Sequence, residues 1–283
     1  MPENVIVAVA RRAECGEGPY WDARDGSVVW VDILGRQVLR TDARGETRVI
    51  DHPEMVGAAA PRATGGLVLA VESGFTLLDA AGELDSRIGI LEPPLRMNDA
   101  KVDPAGRYWA GSCAMDFRAG LGALWRLDEG LDARLVLPNL TQPNGLGWSP
   151  DGTHLYLVET QDRVLLRFDF DPAASEIRSG PTVLADGFTG YPDGLAVDAA
   201  GHLWVAEFGG GAVHEFDPAG AHVRVIEVPT AQPTSCSFVG PRLDRLWVTS
   251  AATGLDPADV YAGSVFEVTG TGAVGTPVSL FRG

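Results

Sequence analysis

The sequence predicts an all-β protein, a six-bladed β-propeller that forms one domain over residues 1–283. Three observations predict this fold: a phrase that recurs six times, short runs that alternate apolar and polar residues, and the spread of 35 glycines and 19 prolines along the chain. Alternating runs are typical of half-buried antiparallel strands, and frequent turn residues indicate many short connections. Long helical patterns are absent from the sequence.

The recurring phrase is a turn, usually with glycine, followed by a leucine or an aromatic residue inside a β-rich run. Its landmark residues are Trp30, Leu69, Trp109, Tyr156, Trp204 and Trp247. Subtracting residue numbers gives separations of 39, 40, 47, 48 and 43 residues, so six units fill the chain. A period of this length with short strands is typical of a propeller blade.

Two β-rich runs lie outside the six units, one near each end of the chain. They are Val5–Val9 and Val278–Phe281. An unclosed propeller would leave two strand edges exposed, so we expect these runs to pair with each other and close the ring. The alternative is a pair of separate β-domains.

The composition excludes several classes of partner. The formal net charge is −16, which would repel nucleic acid and anionic membranes. No apolar stretch approaches the ~18 residues needed to span a bilayer. The run that follows Met1 is too short and too acidic for a signal peptide.

The three cysteines, Cys15, Cys113 and Cys236, are odd in number and far apart. They do not form a disulfide framework, which favours a reducing compartment. We therefore expect a cytoplasmic protein.

Polar residues recur 11–13 positions before each landmark, where the innermost strand of each blade should begin. They are Glu17, Gly57, Asn98, Asn144, Asp193 and Ser235. Because equivalent positions of the blades lie at one height around the axis, we expect these residues to form a ring at one end of the channel.

Two carboxylates in a narrow channel would repel each other unless a cation lay between them. Oxygen donors suit Ca²⁺, Mg²⁺ or Mn²⁺, and carboxylates also bind Zn²⁺ or Fe²⁺. The ring therefore predicts one divalent metal ion, with Gly57 leaving a sector open for water or substrate. The alternative is a ring that binds only water.

Further polar residues are candidates for substrate recognition. Arg96, Gln142 and Tyr191 lie two positions before ring residues, and Arg96 could bind a substrate oxygen through its planar guanidinium group. A surface salt bridge is the alternative for Arg96. The loop residue Asp116 is a candidate contact for a polyol, or an ordinary exposed carboxylate.

No G-x-S-x-G motif or Ser-His-Asp set is evident, so nucleophilic serine chemistry is not predicted. Metal-assisted hydrolysis of an ester or lactone remains. In that chemistry the metal polarises the carbonyl and a carboxylate takes a proton from the attacking water.

At these positions the sequence resembles the SMP-30/gluconolactonase/regucalcin family, and the resemblance covers nearly the whole chain. The motifs that carry it are Gly16-Glu17-Gly18-Pro19, Arg96-Met97-Asn98-Asp99, Pro143-Asn144-Gly145, Tyr191-Pro192-Asp193-Gly194 and Pro233-Thr234-Ser235-Cys236. The resemblance implies a six-bladed propeller that opens a sugar lactone, an aldonolactone, to its aldonic acid.

The resemblance also implies roles for individual residues. Glu17, Asn144 and Asp193 would be the metal ligands, and Asp193 would also be the general base. Arg96 and Asn98 would bind substrate near the metal.

Two departures from the family pattern concern the substrate. Gly18 stands where serine is common, and the rim stretch 112–117 has Asp116 where a longer acid is expected. The size of the sugar therefore stays open, although the polar residues Arg96, Gln142, Tyr191 and Asp116 favour a polyol. The alternatives are a hydrolase of non-sugar lactones or organophosphate esters on the same metal site, and a non-catalytic metal-binding propeller.

Overall fold

The computed structural model describes residues 3–283, and these residues form 24 β-strands and no helix. The strands make six four-stranded antiparallel sheets, which are the blades of a six-bladed propeller. This confirms the predicted fold class. The N-terminal run considered above for a signal peptide begins with Met1 and Pro2, which lie outside the described residues.

The first three blades follow one another along the chain, each from its innermost to its outermost strand. Blade 1 contains β2 (Gly16–Asp22), β3 (Ser27–Asp32), β4 (Gln37–Thr41) and β5 (Thr47–Asp51). Blade 2 contains β6 (Val56–Pro61), β7 (Leu67–Val71), β8 (Gly74–Leu78) and β9 (Leu84–Gly89). Blade 3 contains β10 (Leu95–Val102), β11 (Tyr108–Ala114), β12 (Gly122–Leu127) and β13 (Ala133–Leu140).

The last three blades complete the ring. Blade 4 contains β14 (Pro143–Trp148), β15 (His154–Glu159), β16 (Val164–Asp171) and β17 (Glu176–Ala185). Blade 5 contains β18 (Tyr191–Val197), β19 (Leu203–Phe208), β20 (Ala212–Phe216) and β21 (His222–Glu227). Blade 6 contains β22 (Pro233–Val239), β23 (Arg245–Ser250), β24 (Val265–Thr269) and β1 (Asn4–Val9).

The innermost strands of neighbouring blades contact one another around the central channel. We call the end of the channel where these strands begin the site end, and the end where they finish the far end. The landmark aromatics lie on the second strands and pack between blades. Trp109 of blade 3, for example, meets the rings of Trp148 and Phe170 of blade 4 at centroid distances of 5.9 and 5.7 Å.

The ring closes through blade 6, but not as the sequence led us to expect. The N-terminal run forms β1, which pairs with β24 and not with Val278–Phe281. The predicted partner was therefore wrong. Strands from both ends of the chain share one blade, so blade 6 has the same four strands as the others.

The C-terminal segment has a different position from the predicted one. Residues 276–279 line a cavity of about 250 Å³ at the far end, together with Val102, Trp148 and Val197 at the ends of inner strands. Phe281 forms a bridge to Arg62 and is fully buried. The C-terminal run is apolar because Phe281 is buried against blade 2, and not because the run forms a closing strand.

All three cysteines are free thiols, as their spacing predicted. Among the described residues, no helix is long and apolar enough to cross a membrane.

Candidate functional site

All six ring residues lie on innermost strands at the site end, as the repeat predicted. Each innermost strand is irregular there, because its register against the second strand shifts at a bulge. The shifts fall between Glu17 and Tyr20 in blade 1, and between Pro192 and Leu195 in blade 5. Bulges re-aim side chains, and here they occur where the polar residues stand.

Asn144 and Asp193 are brought into direct contact across the boundary between blades 4 and 5. The amide Nδ2 of Asn144 donates to Oδ1 of Asp193 and also to Oγ1 of Thr160, at 3.0 Å for the latter. Thr160 in turn donates to the carbonyl oxygen of Pro192 at 2.8 Å. This network leaves Asn144 Oδ1 and Asp193 Oδ2 without a bond to the described residues.

Glu17 is the second buried carboxylate of the ring. Among residues 3–283, its carboxyl group accepts only the backbone N–H of Gly18, which lies 2.9 Å from Oε2. Burial raises the pKa of Glu17 well above its ordinary value, and the negative charges of Asp193 and Asp99 raise it further. Burial likewise raises the pKa of Asp193, with a further contribution from Asp99.

Neither Glu17 nor Asp193 forms an ion pair with an arginine, lysine or histidine of the described chain. Buried carboxylates are rarely left in this state, because ionising them away from water is costly without a nearby positive charge. The nearby guanidinium of Arg96 lowers the pKa of both acids, but burial outweighs it and the net shift stays upward, so Arg96 does not fully offset the cost of ionising them.

Arg96 lies on β10 and is buried, so the surface salt bridge considered above is excluded. Its Nη1 donates to Oδ1 of Asn98 at 2.8 Å and to the carbonyl oxygen of Met97 at 2.9 Å. Asn98 donates from Nδ2 to the carbonyl oxygen of Pro143 at 3.2 Å, which joins blade 3 to the residue before Asn144. Asn98 thus orients Arg96, whose Nε and Nη2 remain free of bonds to the described residues.

Three further candidates lie nearer the surface. Asp116 is exposed on the loop after β11 and forms an ion pair with Arg118 at 3.0 Å. Tyr191 is 37% exposed, and the guanidinium carbon of Arg163 lies 4.6 Å from its ring centroid. Gln142 accepts a hydrogen bond from Gln161 at 2.7 Å. The side chains of these three residues do not contact Glu17 or Asp193 in this structure.

Gly57 does not leave an open sector, and that expectation is wrong. A Cβ atom at Gly57 would overlap the backbone carbonyl oxygen of Asn98. The glycine is required because blade 3 packs directly against it, and the backbone of Asn98 fills the space that we assigned to water or substrate.

A second acidic cluster lies away from the ring, in blade 5. The ligand atoms of Asp198, His202 and Glu215 are within 4.8 Å of one another. The two oxygens of Asp198 are already used, since they accept the backbone N–H of His202 at 2.9 Å and the indole N–H of Trp204 at 3.1 Å. Asp103 makes the equivalent bonds in blade 3, so this pattern is that of a blade turn.

The sequence reasoning missed polar residues that support the site. Thr160 joins Asn144 to blade 5, and Asp99 adds a third buried carboxylate whose pKa is raised by burial. An acid also recurs at the end of the second strand in blades 1, 4 and 5, as Asp32, Glu159 and Glu207. Its position two or three residues after the landmark is a sequence signal that could have been recognised.

Comparison with known proteins identifies the family. The model of the SMP-30/Gluconolactonase/LRE-like region matches residues 15–252. The chain belongs to this family. The resemblance seen in the motifs is thereby confirmed.

Individual family members are similar over almost their full length. Regucalcin of Danio rerio is 32% identical over 296 residues, which cover 99% of each protein. The 6-deoxy-6-sulfogluconolactonase of Pseudomonas putida is 36% identical over 258 residues, which cover 89% of this chain and 88% of that enzyme. The structure of regucalcin from Agrobacterium tumefaciens, described as a calcium-binding protein, matches with a TM-score of 0.93 at 32% identity, covering 98% of this chain and 96% of that one.

The residues at the site end fit a divalent cation by their own chemistry. Glu17, Asn144 and Asp193 offer carboxylate and amide oxygens, which hard cations prefer. Two of the three are buried acids whose pKa stays raised despite the nearby Arg96, so a bound cation would remove an existing electrostatic cost.

Proposed function

We propose that this protein is a divalent-metal-dependent lactonase that opens a sugar lactone to the corresponding aldonic acid. The observation that carries the proposal is the pair of buried carboxyl groups, Glu17 and Asp193, which have no ion-pair partner in the described chain and lie with the amide of Asn144 at the mouth of the channel. The lactonase name of a relative with 36% identity supports the reaction class.

In the proposed site Glu17, Asn144 and Asp193 hold the ion. When bound, the ion would polarise the lactone carbonyl and stabilise the negative charge that develops on its oxygen. The native metal is one of Ca²⁺, Zn²⁺, Mn²⁺, Mg²⁺ or Fe²⁺, since the oxygen donors suit each of them.

Asp193 is the proposed general base. Its Oδ1 is held by Asn144, which fixes the carboxylate and leaves Oδ2 to receive a proton. Water adds to the carbonyl carbon as Asp193 takes its proton, the bond from that carbon to the ring oxygen breaks, and the ring oxygen receives the proton. Burial raises the pKa of Asp193 above its ordinary value, which makes its carboxylate a stronger base.

Arg96 and Asn98 are the proposed substrate-binding residues next to the buried acids. Arg96 is held by Asn98 with Nε and Nη2 free, so its planar group can donate two parallel hydrogen bonds to substrate oxygens. Tyr191 and Asp116 are proposed to contact hydroxyl groups at the rim. A polar rim of this kind favours a polyol over an apolar lactone.

The test is a screen of aldonolactones with the purified protein and each candidate metal, following acid release with a pH indicator. We expect release well above the spontaneous rate for at least one lactone, and its loss in EDTA. Acid release no faster than the spontaneous rate from every lactone would contradict the proposal. Turnover only of non-sugar lactones or organophosphate esters would show that the substrate class is wrong.

A further inference from the structure

Three buried acids lie close to the site end without belonging to the ring. Asp32 ends β3 and Glu159 ends β15, while Glu207 is the last residue but one of β19. They are 4%, 3% and 2% exposed, respectively. We call Asp32, Glu159 and Glu207 the clamp acids.

Each clamp acid accepts hydrogen bonds from the segment that leads into the innermost strand of its own blade. Asp32 accepts the N–H groups of Glu14 and Cys15, both at 2.9 Å. Two other backbone donors, of Gln142 and Thr141, bind Glu159 at 2.6 and 3.2 Å.

Glu207 repeats the arrangement in blade 5. It accepts the backbone N–H of Gly190 at 2.7 Å and the hydroxyl of Thr189 at 3.2 Å. His214 binds its other oxygen at 2.9 Å, which holds the carboxylate in place from the outer side of the blade. Each of the three segments is therefore fixed by two hydrogen bonds to a buried carboxyl group.

The strand register relates the clamp acids to the proposed metal ligands. Asp32 pairs with Gly16, Glu159 pairs with Pro143 and Glu207 pairs with Pro192. The next residues along the chain are Glu17, Asn144 and Asp193. Each clamp acid therefore stands opposite the residue that immediately precedes a proposed ligand.

The other three blades, within the described chain, lack an acid at this place. Val56, which precedes Gly57, pairs with Val71, and Met97, which precedes Asn98, pairs with Ser112. In blade 6 the last pair before the bulge is Pro233 with Ser250, two residues before Ser235. Ser250 donates to the carbonyl oxygen of Ser264, the residue just before β24 of its own sheet. The acids thus separate the three blades with proposed ligands from the three without, which a general requirement for blade stability would not do.

We propose that Asp32, Glu159 and Glu207 are positioning residues that hold the backbone of the three metal ligands in a fixed arrangement. This inference rests on the proposed metal site. Without such support, repulsion between Glu17 and Asp193 would move the ligands apart before an ion binds. Removal of residues that orient metal ligands commonly lowers the affinity for the metal, so the same loss is expected when a clamp acid is removed.

The test measures the dissociation constant of Mn²⁺ by calorimetric titration of the intact protein. We expect Glu159→Ala to weaken Mn²⁺ binding by about 10- to 100-fold, the range found when such supporting partners are removed. Glu159→Gln keeps one acceptor oxygen, so it should weaken binding less. Asp32→Asn is a second conservative variant. If Glu159→Ala does not fold, Mn²⁺ binding by Glu159→Gln and Asp32→Asn tests the inference.

Asp198→Asn is the matched control, because Asp198 is a buried acid of blade 5 that accepts backbone N–H groups at the far end. It should lower thermal stability and leave the Mn²⁺ dissociation constant unchanged. Clamp variants that lose stability but bind Mn²⁺ as tightly as the wild type would overturn the inference. A wild-type protein that binds no divalent metal would instead overturn the proposed function, and this inference with it.

Discussion

The buried acids at the far end of the central channel and the two ring acids at the site end, Glu17 and Asp193, differ in how many hydrogen bonds they accept. At the far end, Asp103 accepts two backbone N–H groups, the indole N–H of Trp109 and the hydroxyl of Ser175. Asp198 there accepts two backbone N–H groups and the indole N–H of Trp204. At the site end, Glu17 accepts only the backbone N–H of Gly18 within the described part of the chain.

Burial alone therefore does not show whether an acid has a structural or a functional role. The far-end acids fix the turns between first and second strands, and their hydrogen bonds compensate for lost hydration. The ring acids Glu17 and Asp193 have similar burial with less of that compensation, because Glu17 accepts one backbone N–H and Asp193 accepts the amide of Asn144. Buried polar groups with few hydrogen bonds destabilise the folded protein, and a bound ligand can compensate for that cost. Such groups are therefore typical of functional sites.

The largest expected effect is a loss of lactone turnover when an aspartate of blade 5 is replaced by asparagine at the site end. The same replacement at the far end of blade 5 is the comparison. Asp193→Asn should lower lactone turnover by about a hundredfold to ten-thousandfold, the usual contribution of a general base. In EDTA the variant should be at least as stable as the wild type, because a buried charge has been removed. Acid release and thermal unfolding measure the two effects, and full turnover in the variant would remove Asp193 from the role of base.

Asp198→Asn should give the reverse result. An asparagine would present an amide N–H to the indole N–H of Trp204, leaving that buried donor without an acceptor. We expect the free energy of unfolding to fall by about 1–3 kcal/mol while turnover stays near the wild-type value. Denaturant unfolding measures the loss, and a variant as stable as the wild type would show that the far-end bonds contribute little.

A smaller effect is expected on the pH dependence of stability, to which the buried ring acids Glu17 and Asp193 contribute. Burial raises the folded-state pKa of Glu17 and Asp193 above the unfolded value of about 4, so the folded chain binds more protons above that pH. Metal-free stability should therefore decrease as pH rises from about 4 toward the folded-state pKa values. Asp193→Asn removes part of this decrease, so its melting temperature in EDTA should exceed that of the wild type increasingly at higher pH. Parallel profiles for the two proteins would contradict the assignment.

The smallest effect is expected at the rim. Asp116 is exposed and already paired with Arg118, and it does not contact the buried acids in this structure. Asp116→Ala should raise the KM for the lactone by about two- to tenfold, the value of one hydrogen bond, with kcat nearly unchanged. Steady-state kinetics provide the measurement, and an unchanged KM would exclude Asp116 from substrate binding.

Much of the fold could be predicted because each blade repeats the same local pattern. The landmarks Trp30, Trp109 and Trp204 mark second strands, and the polar residues upstream of them fall on innermost strands at one end of the channel. Ring closure could not be predicted in detail, because Val278–Phe281 has the same apolar character as a strand. Its partner depends on packing against blade 2, which the local pattern does not encode.

The site was predicted as a set of residues, not as a geometry. The repeat places Asn144 and Asp193 near each other, but their hydrogen bond depends on bulges that differ among blades. Gly57 illustrates the limit most clearly. A glycine in a ring of polar residues suggests free space, whereas only the approach of the next blade shows that backbone occupies it.

The most direct measurement is a calorimetric titration of the metal-free protein and its Glu17→Gln variant with Mn²⁺ and Ca²⁺. If the buried ring acids at the site end form one cation site, the wild type will bind one ion per chain. The variant, which keeps the shape of the side chain but not its charge, will bind far more weakly. No binding by the wild type, or equal binding by the variant, would contradict the account.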